Sequence, residues 1–410
     1  MVKRRALILL EGNPRGNGLL YAKVAQRLGL HPITLASDPA QFGYLAAEGL
    51  EAIRIDTGDT ELLMRECARL RGTYEIAGIT SVLEAAYGKV AELCRHFDLP
   101  GPNPLAIERC CDKCVQRHLL AQAGIPMPAY RIAEEAADIQ FAVAELGFPV
   151  IAKPAVGSGS RGVRLCRNAK ELAEHTTHLL GGKHEWQSGP TILIEEFAQG
   201  PYYCAYTMGD VFIGVAAAEF DPPPHFVYRE TTFPALLSEA DQGRIADISL
   251  NCLRVLGLLW GPANIELRWT KRGPVVIEVN PRMAGAPDPQ LIELAYGIDL
   301  IGEHIKLIVG DKWEINRSQS LDAASRNLVA DRDGILDWIQ GVSEAAAVPG
   351  VTEVKLHMDS KTPIIRKGDA RDLLGRVVAA APSRARTEAI LQRAVNLIRW
   401  SISSSSVDGE

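Results

Sequence analysis

The first part of the chain alternates short apolar runs with segments of helical spacing. Residues 6–10 form a continuous apolar run that ends at a Gly/Asn/Pro turn, and the runs 32–36, 52–55 and 76–80 repeat the pattern. Short runs of this kind suit strands buried on both faces, and the helical segments between them suit crossover connections. The pattern predicts a doubly wound parallel sheet, in an α/β domain over residues 1–100.

A proline-rich exit near residue 100 ends this domain. Prolines at positions 100, 102 and 104 interrupt the pattern, since proline cannot continue a helix or a central strand. Strands, helices and a glycine-rich loop then follow without the regular parallel pattern, which predicts mixed α+β units. We expect a connector and central subdomain over 101–210, a C-terminal subdomain with a small extension over 211–400, and a disordered Ser-rich tail at 401–410.

Charge and composition argue against several classes of protein. The formal net charge is −6 and the pI is near 5.9, whereas proteins that bind nucleic acid or membrane surfaces normally show a concentrated basic patch. No run approaches the roughly 18 apolar residues of a membrane span, and the apolar start lacks a signal-peptide cleavage site. We therefore expect a cytoplasmic protein with small-molecule partners, no nucleic acid and no membrane.

The eight cysteines lack the paired spacings of a disulfide framework. The cluster Cys110–Cys114 suggests a metal site, but no second Cys/His pair stands at zinc-finger spacing. Buried or neutral helix cysteines are the better interpretation, and we expect reduced thiols.

A glycine- and serine-rich loop follows a lysine that ends an apolar strand. Lys153 closes the run 149–153, and the loop residues after it are Gly157, Ser158, Gly159, Ser160 and Gly162. Glycines let backbone amides approach phosphate oxygens, and the lysine supplies a fixed positive charge. The segment indicates a phosphate-binding site, although a flexible hairpin turn explains an isolated loop of this kind equally well.

Two carboxylates and a carboxamide form a second chemical set. Glu278 and Asn280 stand two residues apart in one predicted strand and so point to the same face, where Glu266 from a neighbouring strand can meet them. All-oxygen ligation suits magnesium that bridges nucleotide phosphates. Arg282, just beyond, adds a planar donor fork for a phosphate or a carboxylate. The alternative is that Glu278 and Asn280 are solvated residues of an edge strand.

Together these motifs resemble the ATP-grasp superfamily from about residue 5 to residue 380. The resemblance implies an α/β and α+β fold with an N-terminal doubly wound (pre-ATP-grasp) domain, a central lid domain and a C-terminal ATP-grasp domain. It assigns the ATP phosphates to the glycine-rich loop, to Lys153 and to Lys113, which precedes the central domain. The adenine hinge corresponds to Glu195, Glu196, Phe197 and Ala198.

One position departs from the superfamily pattern. Many members carry a glutamate for the ribose after the Gly-Pro turn that follows the hinge, whereas here Tyr202 stands there. Glu195 or the Tyr202 hydroxyl would have to bind the ribose instead.

The resemblance also implies the chemistry. Members with these motifs are ADP-forming ligases that activate a carboxylate as an acyl phosphate and join it to an amine, with ATP and two Mg²⁺ (or Mn²⁺) ions. The metal ligands correspond to Glu266, Glu278 and Asn280, and the catalytic residues to Lys153, Glu278 and Arg282, of which Arg282 stabilises the acyl phosphate. The implied partners are a small-molecule carboxylate and an amine, and a homodimer through the first domain is compatible with the superfamily.

A narrower resemblance concerns residues 280–287 and 290–300. They look like the corresponding segments of L-amino-acid ligases of the dapdiamide synthetase type, which make dipeptides and dipeptide-like antibiotics. Candidate substrate-binding residues are Arg15, Glu84, His225, Tyr228, Arg229, Arg282 and Gly285. Two other functions stay open: an ATP-grasp carboxylase or purine-pathway ligase that acts on bicarbonate or formate, and a non-catalytic ATP-binding protein.

Overall fold

The computed structural model describes residues 3–13, 16–181 and 191–404. Its first region contains β1 Arg4–Leu10, α1 Gly18–Arg27, β2 His31–Ala36, α2 Gly43–Ala47, β3 Glu51–Arg54, α3 Thr60–Leu70, β4 Tyr74–Ser81 and α4 Tyr87–His96. The strands form a parallel sheet in the order β3-β2-β1-β4. The central strand β1 is buried from Ala6 to Leu10, which explains its continuous apolar run. The predicted parallel sheet is confirmed.

The second region begins with two helices and continues as an antiparallel sheet. Its elements are α5 Pro104–Cys111, α6 Lys113–Gln122, β5 Tyr130–Ala133, α7 Ala136–Leu146, β6 Val150–Pro154, β7 Arg164–Cys166, α8 Ala169–Gly181 and β8 Ile192–Glu196. The strand order is β5-β8-β6-β7. This sheet packs against α7 and α8 around an apolar core of its own, which includes Val150 and Ile194.

The third region is built on a long antiparallel sheet. Its elements are β9 Tyr202–Met208, β10 Val211–Phe220, β11 Tyr228–Phe233, α9 Glu239–Leu256, β12 Pro262–Thr270, β13 Gly273–Asn280, α10 Asp288–Tyr296, α11 Leu300–Ile308, β14 Asp322–Val329, β15 Gly334–Gln340, α12 Val342–Ala346, β16 Val351–Leu356, β17 Pro363–Ile364, β18 Leu373–Ala381, α13 Arg384–Leu397 and β19 Arg399–Ser403. The described strands of this sheet follow the order β13-β12-β9-β10-β11-β14-β18-β16, and β17-β15-β19 form a small second sheet.

The end of the chain differs from the prediction. The disordered tail expected at 401–410 is wrong at its first residues, because β19 continues to Ser403 and pairs with β15. Ile402 is buried in the core under this small sheet. One apolar residue among serines was too weak a signal for a strand, and residues 405–410 lie outside the described residues.

Helix α6 is fastened to the edge strand β13. Gln116 pairs with the backbone of one residue at the free edge of β13. Its side-chain N–H group donates to the carbonyl of Val279, and its side-chain oxygen accepts from the backbone N–H group of Val279, both over 2.9 Å. A carboxamide can pair with a strand edge in this way because it offers one donor and one acceptor side by side. The start of α6 is capped by the carboxylate of Asp112. The fastening brings Lys113 close to the end of β13.

The remaining expectations concern cysteines and membranes. All eight cysteines lie within the described ranges and are free thiols, and all but Cys111 are buried. Among the described residues, no group of three or more His, Cys, Asp and Glu side chains is arranged to hold a metal ion. None of the described helices has the length and apolar character that crossing a membrane requires. The cytoplasmic location and the homodimer stay predictions.

Candidate functional site

A cavity of about 480 Å³ opens where the three regions meet. Its wall includes the turn after β1, strands β6 and β8 of the central sheet, the neighbouring strands β12 and β13, and β14 and β18. Ligand pockets commonly have volumes of about 300–1,000 Å³ and lie between domains. The cavity is therefore the candidate functional site.

Strands β12 and β13 supply an acidic part of the wall. Their antiparallel register pairs Glu266 with Glu278 and Asn264 with Asn280, and all four residues line the cavity. The side-chain N–H group of Asn280 donates to Oε1 of Glu266 over 3.3 Å, and the Tyr202 hydroxyl donates to the same carboxylate. The structure thus brings Glu266, Glu278 and Asn280 together, as their strand spacing predicts.

The two carboxylates differ in their affinity for a proton. Burial, and then the charge of Glu278, raise the pKa of Glu266. Burial also acts to raise the pKa of Glu278, but the ammonium groups of Lys113 and Lys153 outweigh it and lower that pKa. Glu278 therefore keeps its negative charge, whereas Glu266 takes up a proton more readily unless a cation is near.

Two buried lysines contribute positive charge to the cavity wall. The Nζ atom of Lys113 lies 3.0 Å from Oε1 of Glu278 and donates to the carbonyl of Gly157 over 2.6 Å. The Nζ atom of Lys153, in β6, lies 2.6 Å from Oε2 of Glu195 in β8. Each ammonium group is thus held in place by a carboxylate from another element.

Arg117 is a member of this charge network that the sequence analysis missed. It lies one helical turn after Lys113, is fully buried, and its Nε lies 2.5 Å from Oε1 of Glu195. It also donates to the carbonyl of Ile277 in β13. Burial acts to raise the pKa of Glu195, but Arg117 and then Lys153 outweigh it and lower that pKa. The signal that could have revealed Arg117 is its spacing of four residues from Lys113, which places both on one helix face.

The glycine-rich loop forms a tight turn beside these lysines. Gly159 has φ 67° and Ser160 has φ 59°, a left-handed backbone that glycine adopts without strain and other residues adopt rarely. Residues 157–160 line the cavity. The turn therefore presents backbone groups to the same space as the two lysines.

Arg282 ties the loop after β13 to the N-terminal region. Its Nε donates to Oε2 of Glu84 over 2.7 Å, and its Nη1 donates to the carbonyl of Met283 over 3.2 Å. A second link runs from the side-chain N–H group of Asn17 to the carbonyl of Ala284 over 2.8 Å. These bonds join two regions far apart in sequence, and both ends of each link line the cavity.

Two family descriptions match the chain. "Carbamoyl-phosphate synthase L chain, ATP binding domain" matches residues 112–316, which is half of the chain, and "L-amino acid ligase C-terminal domain 2" matches residues 326–403. The chain belongs to the ATP-grasp superfamily. It is an ATP-grasp ligase of the ADP-forming class that makes C–N bonds.

Individual proteins resemble this ATP-grasp ligase to different extents. The y4rH protein of Sinorhizobium fredii is 56% identical over 403 residues, which cover 98% of this chain and 84% of that protein. Human carnosine synthase 1 is 28% identical over 333 residues, which cover 73% of this chain but 40% of that longer protein. The crystal structure of an L-amino acid ligase from Bacillus licheniformis has a TM-score of 0.82 at 19% identity and covers 98% of this chain and 100% of its own. This last likeness confirms the ATP-grasp fold.

Most of the predicted site residues of the ATP-grasp ligase line the one cavity. They are Glu84, Lys113, Lys153, Gly157, Ser158, Gly159, Ser160, Glu195, Glu196, Phe197, Ala198, Tyr202, Tyr228, Glu266, Glu278, Asn280, Arg282 and Gly285. The residues that the sequence motifs indicate thus come from all three regions and line the same cavity.

Four predicted residues are placed differently. Gly162, His225 and Arg229 are absent from the described cavity wall. The His225 ring packs against the backbone of Gly368, and Arg229 pairs with Asp221, with Nη2 and Oδ2 3.0 Å apart. Arg15 lies outside the described residues.

The groups considered for the ribose both have partners within the protein. The Glu195 carboxylate pairs with Lys153 and Arg117, and the Tyr202 hydroxyl donates to Glu266. Both line the cavity, and the ribose contact stays a prediction.

Part of the cavity wall comes from residues that no motif revealed. Asn327, His357, Ala370, Leu373 and Arg376 line it, and all belong to the segment that matches the L-amino acid ligase domain. Arg376 is buried and its Nε donates to Glu353 over 2.7 Å. These residues are spread over the strands and loops of the C-terminal extension without a fixed spacing, so only the fold brings them together.

Proposed function

We propose that this ATP-grasp ligase joins an amino acid or related carboxylate to an amine-bearing amino acid through a dipeptide-like amide bond. In this proposal the carboxylate attacks the γ-phosphorus of ATP, ADP leaves and an acyl phosphate results. The amine then displaces phosphate from the acyl carbon. Activation is required because the oxygen of a free carboxylate is a poor leaving group at neutral pH, whereas phosphate is a good one.

The proposal rests on which part of the chain supplies the residues of the cavity wall. The segment that matches L-amino acid ligase C-terminal domain 2 contributes five residues to the same cavity as Lys113, Lys153 and the β12–β13 carboxylates. Bicarbonate and formate need less room at the carboxylate position than an amino acid does. A wall with asparagine, histidine and arginine side chains from a further subdomain favours larger, polar amino-acid substrates. The similarity to carnosine synthase 1 supports the same choice.

The nucleotide end is assigned to the charged groups of α6, β6 and β8. Lys113, Lys153 and the backbone groups of the loop 157–160 bind the phosphates. Residues 195–198 bind the adenine. Burial lowers the pKa of Lys153, although the charge of Glu195 acts in the opposite direction. A dry, prearranged ammonium of this kind interacts more strongly with phosphate than one in water.

The residues at the β12–β13 pair fit a divalent cation. Glu266 and Glu278 are buried beside each other, and the pKa of Glu266 is raised by that burial and by its neighbour, so a cation would relieve an existing repulsion. We propose that Glu266, Glu278 and Asn280 hold Mg²⁺ or Mn²⁺, with two ions expected. The ion would neutralise charge that develops between the β- and γ-phosphoryl groups.

Arg282 is assigned to the acyl group. The guanidinium, fixed by Glu84 at 2.7 Å, presents further N–H donors to the cavity and stabilises negative charge on the acyl phosphate and on the tetrahedral oxyanion. The central sheet, with its own apolar core, acts as a lid that keeps water from the mixed anhydride. Glu84, Tyr228 and Gly285 contribute to substrate binding at the same end.

The test is the release of ADP from ATP and Mg²⁺ in the presence of defined substrates. We expect little ADP with a single L-amino acid, full turnover with a suitable pair, and a product whose mass is the sum of the two minus water. Bicarbonate and formate are assayed in parallel. Turnover with either of these but with no amino-acid pair would favour the carboxylase or purine-type ligase. Nucleotide binding without turnover under any condition would favour the non-catalytic alternative.

A further inference from the structure

Asp288 is an acidic side chain of the cavity that lies outside the charge network of the lysines and arginines described above. Asp288, the first residue of α10, lines the cavity and is 8% exposed. The Tyr206 hydroxyl donates to its Oδ2 over 2.7 Å. No lysine, arginine or histidine within the described ranges forms an ion pair with it. Asp288 is thus a buried carboxylate that faces the substrate space with one neutral hydrogen-bond donor.

The other acidic residues of the wall are accounted for. Glu84, Glu195, Glu196 and Glu278 each form an ion pair with a lysine or arginine. Glu266 has no such pair among the described residues, but Glu278 and Asn280 beside it complete the proposed metal set. Asp288 does not belong to that strand pair. A single carboxylate with a neutral tyrosine hydroxyl suits an organic cation, such as an ammonium group, better than a divalent metal, which requires several oxygen ligands.

The surroundings of Asp288 favour a cationic partner that arrives with the substrate. A buried carboxylate without a counter-charge is unfavourable, and an ammonium group on a ligand removes that penalty. Tyr228 lines the same cavity, and the face of an aromatic ring attracts an ammonium group. Burial raises the pKa of Asp288 to about 6, against the opposing effects of the Tyr206 hydrogen bond and of Arg376 and Arg282. The carboxylate is therefore a better proton acceptor than an exposed aspartate.

We propose that Asp288 binds the ammonium group of the amine substrate and accepts a proton from it as the amide bond forms. The inference rests on the proposed ligase function. It assigns Asp288 to the amine because, of the two substrates, this is the one that must lose protons before it can react. Arg282, the residue assigned to the acyl group, lines the same cavity as Asp288.

The proposed step balances in atoms and charge. The ammonium nitrogen loses one proton to the Asp288 carboxylate and its electron pair forms the bond to the acyl carbon. The bond from that carbon to the phosphate oxygen breaks, and the leaving phosphate takes a second proton from the nitrogen. The products are the amide, hydrogen phosphate and the protonated Asp288 side chain, which returns its proton to water on product release.

The test separates the two half-reactions with hydroxylamine. Hydroxylamine is small, is largely neutral near pH 7, and traps an acyl phosphate as a hydroxamate without a cation-binding site. For the carboxylate substrate found in the ADP screen, the amide formed with its amino-acid partner and the hydroxamate formed with hydroxylamine are measured separately. Asp288→Asn is expected to lower the ratio of amide rate to hydroxamate rate by about 100-fold, and to raise the KM of the amine substrate.

A matched variant controls for general damage to the protein. Asp322→Asn changes a buried aspartate that pairs with Arg384 over 2.9 Å, outside the cavity, and is expected to leave the ratio within about twofold. If Asp288→Asn does not fold, Tyr206→Phe decides, because loss of the hydroxyl that holds Asp288 is expected to lower the ratio in the same direction, by less.

Two results would overturn the inference while the ligase function stands. The first is a wild-type ratio in Asp288→Asn, whether both rates are unchanged or both fall equally. The second is a wild-type ratio in Tyr206→Phe where Asp288→Asn fails to fold. An absence of hydroxamate with the wild-type enzyme and every carboxylate would instead reject the acyl-phosphate function itself. The two failures are therefore distinguishable.

Discussion

The two ends of the cavity are built in different ways. At the nucleotide end, Lys113, Lys153, Glu195 and Glu278 come from short sequence motifs and form direct ion pairs. At the substrate end, Asn17 of the first region meets the loop 283–288 and the strands β14 and β18 of the third, and Asp288 has no described counter-ion. At the first end the charged side chains form ion pairs with one another, whereas at the second end the Asp288 carboxylate is available to bind a cationic group of a ligand. The comparison suggests that one end serves a nucleotide common to many enzymes, whereas the other serves substrates particular to this one.

The largest effect is expected from Glu278→Ala at the nucleotide end. It removes the carboxylate that keeps its charge and holds Lys113 at 3.0 Å, so ADP formation should fall about 1,000-fold. The matched control is Glu230→Ala, which removes the partner of Arg326 outside the cavity wall. ADP release is measured for both variants, with circular dichroism as the check of folding. Full turnover in Glu278→Ala would refute the metal assignment.

Arg117→Met tests whether the charge network is also structural. The substitution leaves the buried Glu195 carboxylate with one cation in place of two, and breaking a buried pair costs about 3 kcal/mol of unfolding free energy. Arg272→Met is the comparison, because it breaks the pair with the adjacent Glu196 at a side chain that is 59% exposed, where about 1 kcal/mol or less is expected. Urea unfolding of the nucleotide-free proteins gives both values. Equal losses of unfolding free energy in the two variants would contradict the account, which describes the Arg117–Glu195 pair as buried and the Arg272–Glu196 pair as exposed.

Asn327→Ala tests the substrate end. Its side-chain N–H group donates to the carbonyl of Tyr228 over 3.0 Å and its residue lines the cavity. Loss of this bond removes one of the contacts that position Tyr228 in the cavity wall, so the KM of an amino-acid substrate should rise about tenfold. The KM of ATP should stay within about twofold, since no described contact joins Asn327 to the lysines. Equal rises in the KM of the amino-acid substrate and the KM of ATP would contradict the view that separate ends of the cavity bind these two substrates.

The smallest effect is expected from His225→Ala. The ring packs against Gly368 and is absent from the described cavity wall. Removal of a side chain that contacts neither substrate should change kcat/KM by about twofold or less. Steady-state kinetics with the best amino-acid pair measure it. A tenfold loss would mean that the loop near His225 closes onto the substrate, and that the substrate end extends beyond the cavity.

The fold and the meeting of Lys113, Lys153 and Glu278 in one cavity followed from the sequence because their signals are local. The apolar run of β1 reflects burial on both faces, and the two-residue spacing of Glu278 and Asn280 fixes their common face. Arg117 was missed because a lone arginine in a helix is normally solvated, and its partner Glu195 lies 78 residues away. Asp288 and Arg376 were missed because neither belongs to a motif, and only the fold brings α10 and β18 to the wall of one cavity. The strand at 399–403 was missed because serines conceal the single buried Ile402.

The acyl phosphate is the central claim, and isotope transfer tests it most directly. The carboxylate substrate is prepared with a heavy-oxygen label in its carboxyl group and converted with ATP, Mg²⁺ and the amine. Phosphate released from an acyl phosphate carries one labelled oxygen, because the carbon–oxygen bond breaks when the amine attacks. The account predicts one labelled oxygen per phosphate in the mass spectrum, in proportion to the amide formed. Amide formation with unlabelled phosphate would contradict it.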